Sequence, residues 1–247
     1  MGRLDEALAS YRRALDIDPE HHDLSHLISS ISGETTDMAP EIYIRELFDD
    51  YAGRFDGHLT NTLGYEIPVL MRHAVDALLG GPETFSRVLD LGCGTGMVGG
   101  NFHNTAGEID GVDLSPKMLE QARAKGVYSN LYPGDVLAFL EGTEVSSAGY
   151  DLILSGDTFI YIGKLDGIFA AVRHTLTDGE LFVFSVEHLE DGDFKLLPSS
   201  RYSQSDAYIK RLAAENRFEI IDREPVVVRV EDEAPIQGRI FVLRGIT

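Results

Sequence analysis

The chain has 247 residues, 43% of them apolar, which is length enough for a sizeable core. Its 41 acidic residues outweigh 21 basic ones for a formal net charge of −20, and no Lys/Arg stripe of the kind that grips phosphates is visible, so a nucleic-acid partner is disfavoured. No run approaches the ~18–20 apolar residues of a membrane helix, the opening "MGRLDEALASYRRALD" is charged throughout and is no secretory signal, and one cysteine, Cys93, leaves no internal disulfide and suits a cytoplasmic protein.

Residues 1–33 read as helical. Leu4, Ala7, Leu8, Tyr11, Ala14 and Leu15 recur every three or four residues, one face of a helix that Pro19 stops. "HDLSHLISSISG" predicts a short second helix ended by Gly33. His21, His22, Asp23 and His26 are the nearest thing to a metal cluster, but their place after Pro19 suits a helix start better, and no metal is expected. Residues 34–83 also read as helical, without strand signals. "APEIYIRELFDDYAGRFDGHL" spaces Ile42, Leu47, Phe48, Tyr51 and Phe55 helically behind Pro40, and "YEIPVLMRHAVDALLGG" closes on Gly80-Gly81.

From residue 84 to 247 the rhythm changes. "FSRVLDLG", "EIDGVDLS", a short "LYPGD", "YDLILSGD" and "GELFVFSVE" predict strands, separated by helical stretches such as "SPKMLEQARAKG" and "LDGIFAAVRHTL". Strand alternating with helix implies a parallel sheet covered on both faces. A helix over "AYIKRLAAENRF" is followed by "EIIDREPVVVRVE" and "GRIFVLRG" with no helix between, which predicts an antiparallel hairpin at the sheet edge. The expected fold is therefore α/β and Rossmann-like. It has a seven-stranded, mostly parallel sheet with an antiparallel edge strand, helices on both faces and an N-terminal helical segment.

"VLDLGCGTGMVGG" (88–100) follows the first strand and opens a helix. Bare glycines there let a ligand lie on the backbone, where free helix N–H groups point. Gly94, Gly96 and Gly99 match G-x-G-x-x-G, with Asp113 near the usual distance downstream. On those residues alone an NAD-dependent oxidoreductase fits, as does a binding module without catalysis. Asp90, two residues before the first glycine, argues against an anionic pyrophosphate and for a cationic ligand. No Walker lysine follows the glycines.

The run D-L-G-C-G-T-G, followed by "GVDLS", "YPGDV", "YDLILSGDTFIY" and "LTDGELFVFSV", resembles the ordered motifs of the class I S-adenosylmethionine-dependent methyltransferases over residues 84–247. The resemblance implies S-adenosylmethionine as cofactor and S-adenosylhomocysteine as product. It places Asp90, Gly92, Cys93, Gly94, Thr95 and Gly96 around the methionine end, Asp113 on the ribose hydroxyls, and Leu114 and Met118 beside the adenine. Gly134, Asp135 and Val136 would meet the adenine amino group, and Ser155 and Gly156 would lie beside the methyl. Cys93 lacks an identifiable His or Asn partner and is not read as a nucleophile.

Asp157, Tyr161, Glu187 and His188 follow strand ends and are the candidates for a base. Tyr51 and Phe55, with Tyr43 and Tyr65, supply aromatics for a lid, and Arg201 and Tyr202 are possible anchors for an anionic acceptor. The spacing of Gly2, Ala7, Tyr11, Ala14 and Pro19 resembles half a tetratricopeptide repeat. The whole arrangement is similar to the bacterial predicted methyltransferases with such repeats. That implies a small-molecule or carrier-bound acceptor, or else a protein substrate recruited through repeat helices.

Overall fold

The computed structural model describes residues 2–19, 21–142, 149–231 and 233–247. Five parallel strands form the centre: β1 (Phe85–Leu91), β2 (Ala106–Asp113), β3 (Asn130–Pro133), β4 (Tyr150–Ser155) and β5 (Leu176–Leu189). The terminal hairpin, β8 (Phe218–Glu231) and β9 (Ala234–Gly245), adds an antiparallel edge through β9 on β5. The order β3-β2-β1-β4-β5-β9-β8 reverses direction of travel at β1–β4, where an open α/β sheet binds ligands beyond its strand ends.

Side-chain alternation divides the core between two faces. Val88, Leu152, Leu154, Leu181 and Val183 point to one, and their neighbours Leu89, Ile153, Phe182 and Phe184 point to the other. The second face is aromatic: Phe159, Phe169, Phe182, Phe184, Phe218 and Phe241 pack as tilted, edge-on and stacked rings under α9 (Asp166–Thr175) and α10 (Asp206–Glu215). The first face is covered by α5 (Ile67–Leu79) and α6 (Met97–Phe102).

Two short strands add to the seven expected. β6 (Phe194–Leu196) and β7 (Tyr202–Ser205) arise from the polar stretch after β5. The reason is length. β5 runs beyond the end of β4, so Glu187–Leu189 offer an open backbone edge, and β7 pairs with it in parallel. Tyr202 goes with this hairpin. It is fully buried with its hydroxyl on Thr36, so it anchors the fold and not an acceptor.

The N-terminal helices are tied to this extension. α1 (Gly2–Ile17) packs along α2 (His22–Ser32), which Gly33 terminates at φ +79°. His26 lies buried on α2 and its Nε2 meets Ser200 O at 3.0 Å, while His21 pairs outward with Asp23 at 2.7 Å. The histidines therefore diverge, and no metal-binding group forms among the described residues. The long helix expected after Pro40 is interrupted: α3 (Glu41–Tyr51) and α4 (Phe55–Asn61) flank a single 3₁₀ turn over Ala52–Arg54, where Gly53 weakens the α form. No described helix is long and apolar enough to cross a membrane.

Burial holds the His26 imidazole below its ordinary value. A histidine depressed in the folded state stabilises it fully above the unfolded value near 6.5, and that contribution is lost as pH falls. Acidification below about pH 6 is expected to release α2 first. Hydrogen–deuterium exchange, corrected for intrinsic rates, should rise in residues 22–32 before it rises in β1 or β4.

Candidate active site

The glycine run folds as three left-handed turns, at Gly92 (φ +67°), Gly94 (φ +54°) and Gly96 (φ +87°). At Gly92 a Cβ would stand 2.3 Å from Thr158 Oγ1, so the loop can approach the end of β4 only as glycine. Gly96 and Gly99, with Gly111 on β2, serve a different purpose. A Cβ on any of them would strike the ring of Tyr128 at 2.5–2.9 Å. Tyr128 fills the space they vacate, and its hydroxyl donates to Asp90 Oδ2 at 2.7 Å.

Asp90 is thereby engaged through Oδ2, while its Oδ1 is buried without a hydrogen-bond partner. It is 0% exposed, accepts from Tyr128 and from Gly99 N at 3.0 Å, and does not line the cavity. Position ending a central strand puts it beneath the loop, where it caps the start of α6. Burial lifts its carboxyl to about 6.

Above the loop lies a cavity of about 1190 Å³. Of the residues expected at a cofactor, it is lined by Gly92, Cys93, Thr95, Asp113, Leu114, Asp135, Val136, Gly156, Tyr51 and Phe55. Asp113 ends β2 and accepts Gly94 N on Oδ2 and Ser115 N on Oδ1, both at 2.8 Å. A carboxylate has about four acceptor positions, so two stay for a ligand's paired hydroxyls. Burial raises this carboxyl to about 6, against the pull of the two N–H groups. Asp135 caps α8 (Val136–Leu140) through Oδ1 to Ala138 N at 2.8 Å. Cys93 is buried, which pushes its thiol well up and leaves it an un-ionised wall group.

Other expectations fall away from the cavity. Met118 is core: Ser115 caps α7 (Pro116–Lys125), and the third residue of the helix turns inward. Ser155 is fully buried with its hydroxyl on Leu91 O. Gly94, Gly96 and Gly134 shape the backbone without lining the space, Gly134 N bonding Asp113 O. His188 lies outside it as well, beside Glu190 at 3.4 Å and Asp206 at 3.8 Å. Glu187 does not line it either: it is buried on Arg229, and His188, its neighbour on β5, faces the opposite way.

Elsewhere the cavity wall holds Asp157 and Tyr161, two of the base candidates, beside Arg229, an arginine that sequence reasoning missed. Asp157 has φ +59° and is anchored by its own N–H to Ser185 Oγ at 2.8 Å. Its Oδ2 is 3.3 Å from Arg229 Nη1, and its Oδ1 is buried without a hydrogen-bond partner. Burial is the main cause lifting this carboxyl to about 6, with Arg229 pulling down and Glu187 pushing up. Arg229, 3% exposed, also binds Glu187 through Nη2 and Glu231 through Nε at 2.7 Å. Arg201 Nη1 meets the same Glu231 oxygen at 2.6 Å. Tyr161 is pushed to about 12 by burial, with Arg201 beside its hydroxyl pulling down.

A lid closes the cavity. Asp49 on α3 accepts from Ser115 Oγ at 2.6 Å and Lys117 N at 3.3 Å. Asp56 on α4 accepts from Thr95 Oγ1 and from Lys125 Nζ, both at 2.5 Å. Phe48 stands edge-on to Tyr161 at 5.4 Å and Tyr51 edge-on to Phe55 at 5.2 Å.

Residues 88–179 match the family described as "Methyltransferase domain". The chain is 30% identical over 104 residues to a biotin biosynthesis bifunctional protein of Saccharophagus degradans, covering 42% of this chain and 19% of that one. It is 26% identical over 160 residues to an aklanonic acid methyltransferase of a Streptomyces species, covering 63% and 70%. The chain spans under half the length of several curated relatives it matches. A solved S-adenosylmethionine-dependent methyltransferase of Clostridium acetobutylicum superposes with TM-score 0.58 at 17% identity, over 81% of this chain and 100% of that one. Residues 88–179 are thus similar to a methyltransferase domain, and the sheet around them shares the fold of a solved S-adenosylmethionine-dependent methyltransferase.

Asp90 gives a direct test of its assignment. Its folded value of about 6 stands above the ordinary 3.8, so its contribution to stability is fully present below the lower value and is lost as pH rises through the upper one. Asp90→Asn removes that loss. Relative to the parent chain, the variant should gain about 1 kcal/mol between roughly pH 5 and pH 8 in urea titrations, with S-adenosylhomocysteine affinity unchanged.

Proposed function

We propose that the chain transfers the methyl group of S-adenosylmethionine to an oxygen or nitrogen of a small-molecule or carrier-bound acceptor, with Asp157 as the base. The observation that carries this reading is one cavity lined by Gly92, Asp113 and Asp135 together with Asp157 and its partner Arg229. Asp113 would accept from the ribose hydroxyls, Asp135 from the adenine amino group, and Leu114 and Val136 would flank the ring.

When bound, the cofactor supplies a methyl on a sulfonium: the acceptor's lone pair forms the new bond as the C–S bond breaks, and a neutral thioether leaves. The chain's own work is alignment, exclusion of water and removal of one proton. The Asp157 carboxylate receives that proton, while Arg229 holds its Oδ2. A base whose value lies near 6 is ionised at neutral pH and still basic enough to help. Tyr161 and the aromatics Tyr51 and Phe55 confine the acceptor.

The N-terminal pair α1 and α2, packed on one another with Ile17 left 87% exposed, supports a tetratricopeptide-like role in carrying a protein partner. One reduced cysteine supports a cytoplasmic setting.

Calorimetric titration with S-adenosylhomocysteine should show micromolar binding that Asp113→Ala abolishes. Affinity should fall as pH drops through about 6, because protonation of Asp113 removes an acceptor for the ribose. Binding of NAD in its place would return the loop to the oxidoreductases, and binding without turnover on any acceptor would make the chain an inert cofactor module.

On an acceptor that releases S-adenosylhomocysteine, Asp157→Asn should lower kcat about 10²–10³-fold without weakening the cofactor. The parent's rate should rise with pH through about 6 and then level, and the variant should lack that limb.

A further inference from the structure

The two arginines of the cavity are not equivalent. Arg229 has three carboxylates about it, Asp157, Glu187 and Glu231, and is fully committed. Arg201 has a single carboxylate, Glu231, at an oxygen already engaged by Arg229 Nε, besides the Tyr161 hydroxyl. A guanidinium carries five N–H donors in a planar fork. One of Arg201's goes to Glu231, and the Tyr161 hydroxyl lies beside the group. Arg201 lines the cavity and keeps a quarter of its side chain exposed there. In a chain with a net charge of −20, a half-buried arginine facing a ligand space is a specific expenditure of positive charge.

The space is large enough to need a second occupant. Pockets for a single drug-sized ligand run to about 300–1,000 Å³, and this cavity is near 1190 Å³. Besides Tyr51 and Phe55 it is walled by Phe48, Leu59, Leu63 and Val230, an aromatic and aliphatic surface. Its rim has the opposite character: Glu41, Glu46, Asp50 and Glu233 are exposed there against Arg54 and Lys164. An acidic rim disfavours an acidic macromolecule at encounter, while the arginine inside holds a small acid that has passed it.

Resting on the methyl-transfer reading, we propose that Arg201 determines acceptor specificity: the acceptor is a free aromatic hydroxy acid whose carboxylate lies on Arg201 and whose hydroxyl faces Asp157. A planar fork opposite a carboxylate gives paired, charge-assisted hydrogen bonds. The ring lies against the aromatic wall, and the hydroxyl proton passes to Asp157 as the new O–C bond forms.

The test titrates a panel of hydroxybenzoates and hydroxynaphthoates, their carboxamides and the matching benzylamines into the protein by calorimetry, with and without S-adenosylhomocysteine. The acids should bind at least ten-fold more tightly than the amides. Arg201→Gln should erase that preference while leaving S-adenosylhomocysteine affinity unchanged, and Arg201→Lys should restore part of it. Glu231→Gln, which removes the one carboxylate paired with Arg201, should tighten the acids several-fold and leave the amides alone. In turnover, the same loss at Arg201 should appear in KM for the acids more than in kcat. Equal binding of acids and amides, preference for the amines, or an unchanged preference in Arg201→Gln overturns the proposal. So does equal binding of the same acid when it is tethered to an acidic carrier protein. Failure of S-adenosylhomocysteine to bind while the acids still prefer Arg201 would instead remove the cofactor reading alone.

Discussion

The hydrogen bond from Tyr128 to the buried carboxylate of Asp90 is the constraint on which the site rests. It holds a large ring under the glycine turns, between β1 and β2, where three glycines have made room for it. With that ring in place, Gly99 N is drawn onto the same carboxylate and the start of α6 is set. Gly94 N then reaches Asp113, so the end of β2 and the loop after β1 are locked as one platform. Burial of Asp90 works against its charge, and the N–H and O–H donors offset only part of that cost. Through these two donors the carboxylate positions the ring and the start of α6.

The lid extends the same platform. Asp49 and Asp56 reach from two helices on either side of a single 3₁₀ turn, and both land on groups of the platform: the cap of α7 and the glycine loop's Thr95. Lys125, at the far end of α7, joins the second contact. Closing the cavity and shaping the loop are therefore one cooperative arrangement. The aromatic contact of Phe48 on Tyr161 joins the same helices to the far wall of the cavity.

How much of this the sequence reveals depends on the range of the signal. Strand alternation and helix periodicity are local, so the sheet, its antiparallel edge and the caps at Gly33 and Gly80 are readable residue by residue. Asp113 is readable because a strand end and a following Ser-Pro cap place it. Asp90 is visible as a residue but not in its role, since the partner that claims it is 38 positions away. Met118 and His188 fail for reasons of direction: a capped first turn aims one inward, and a two-residue strand period aims the other away. The β6–β7 hairpin was hidden because it depends on how far β5 outruns β4, a relation between strands and not a pattern in either.

Arg229 is the instructive omission. In "VVVRVE" strict alternation buries Val226 and Val228 and would turn Arg229 out to solvent, the usual place for an arginine on an edge strand. The register between β8 and β9 slips between Val227 and Arg229, so Val228 and Arg229 are both buried. A bulge of this kind re-aims a side chain without altering composition or periodicity. Here it carries a guanidinium across the sheet edge to Asp157, whose own backbone sits in the left-handed region. Two local departures from regular backbone, one on each side of the cavity, thus meet in one ion pair. Neither has a reason to exist alone: Asp157 without Arg229 would be a buried charge without a counter-ion, and Arg229 without its three carboxylates would be the same with the sign reversed. This part of the cavity wall is assembled from irregularities that stabilise each other, and that mutual dependence is what a one-dimensional reading cannot see.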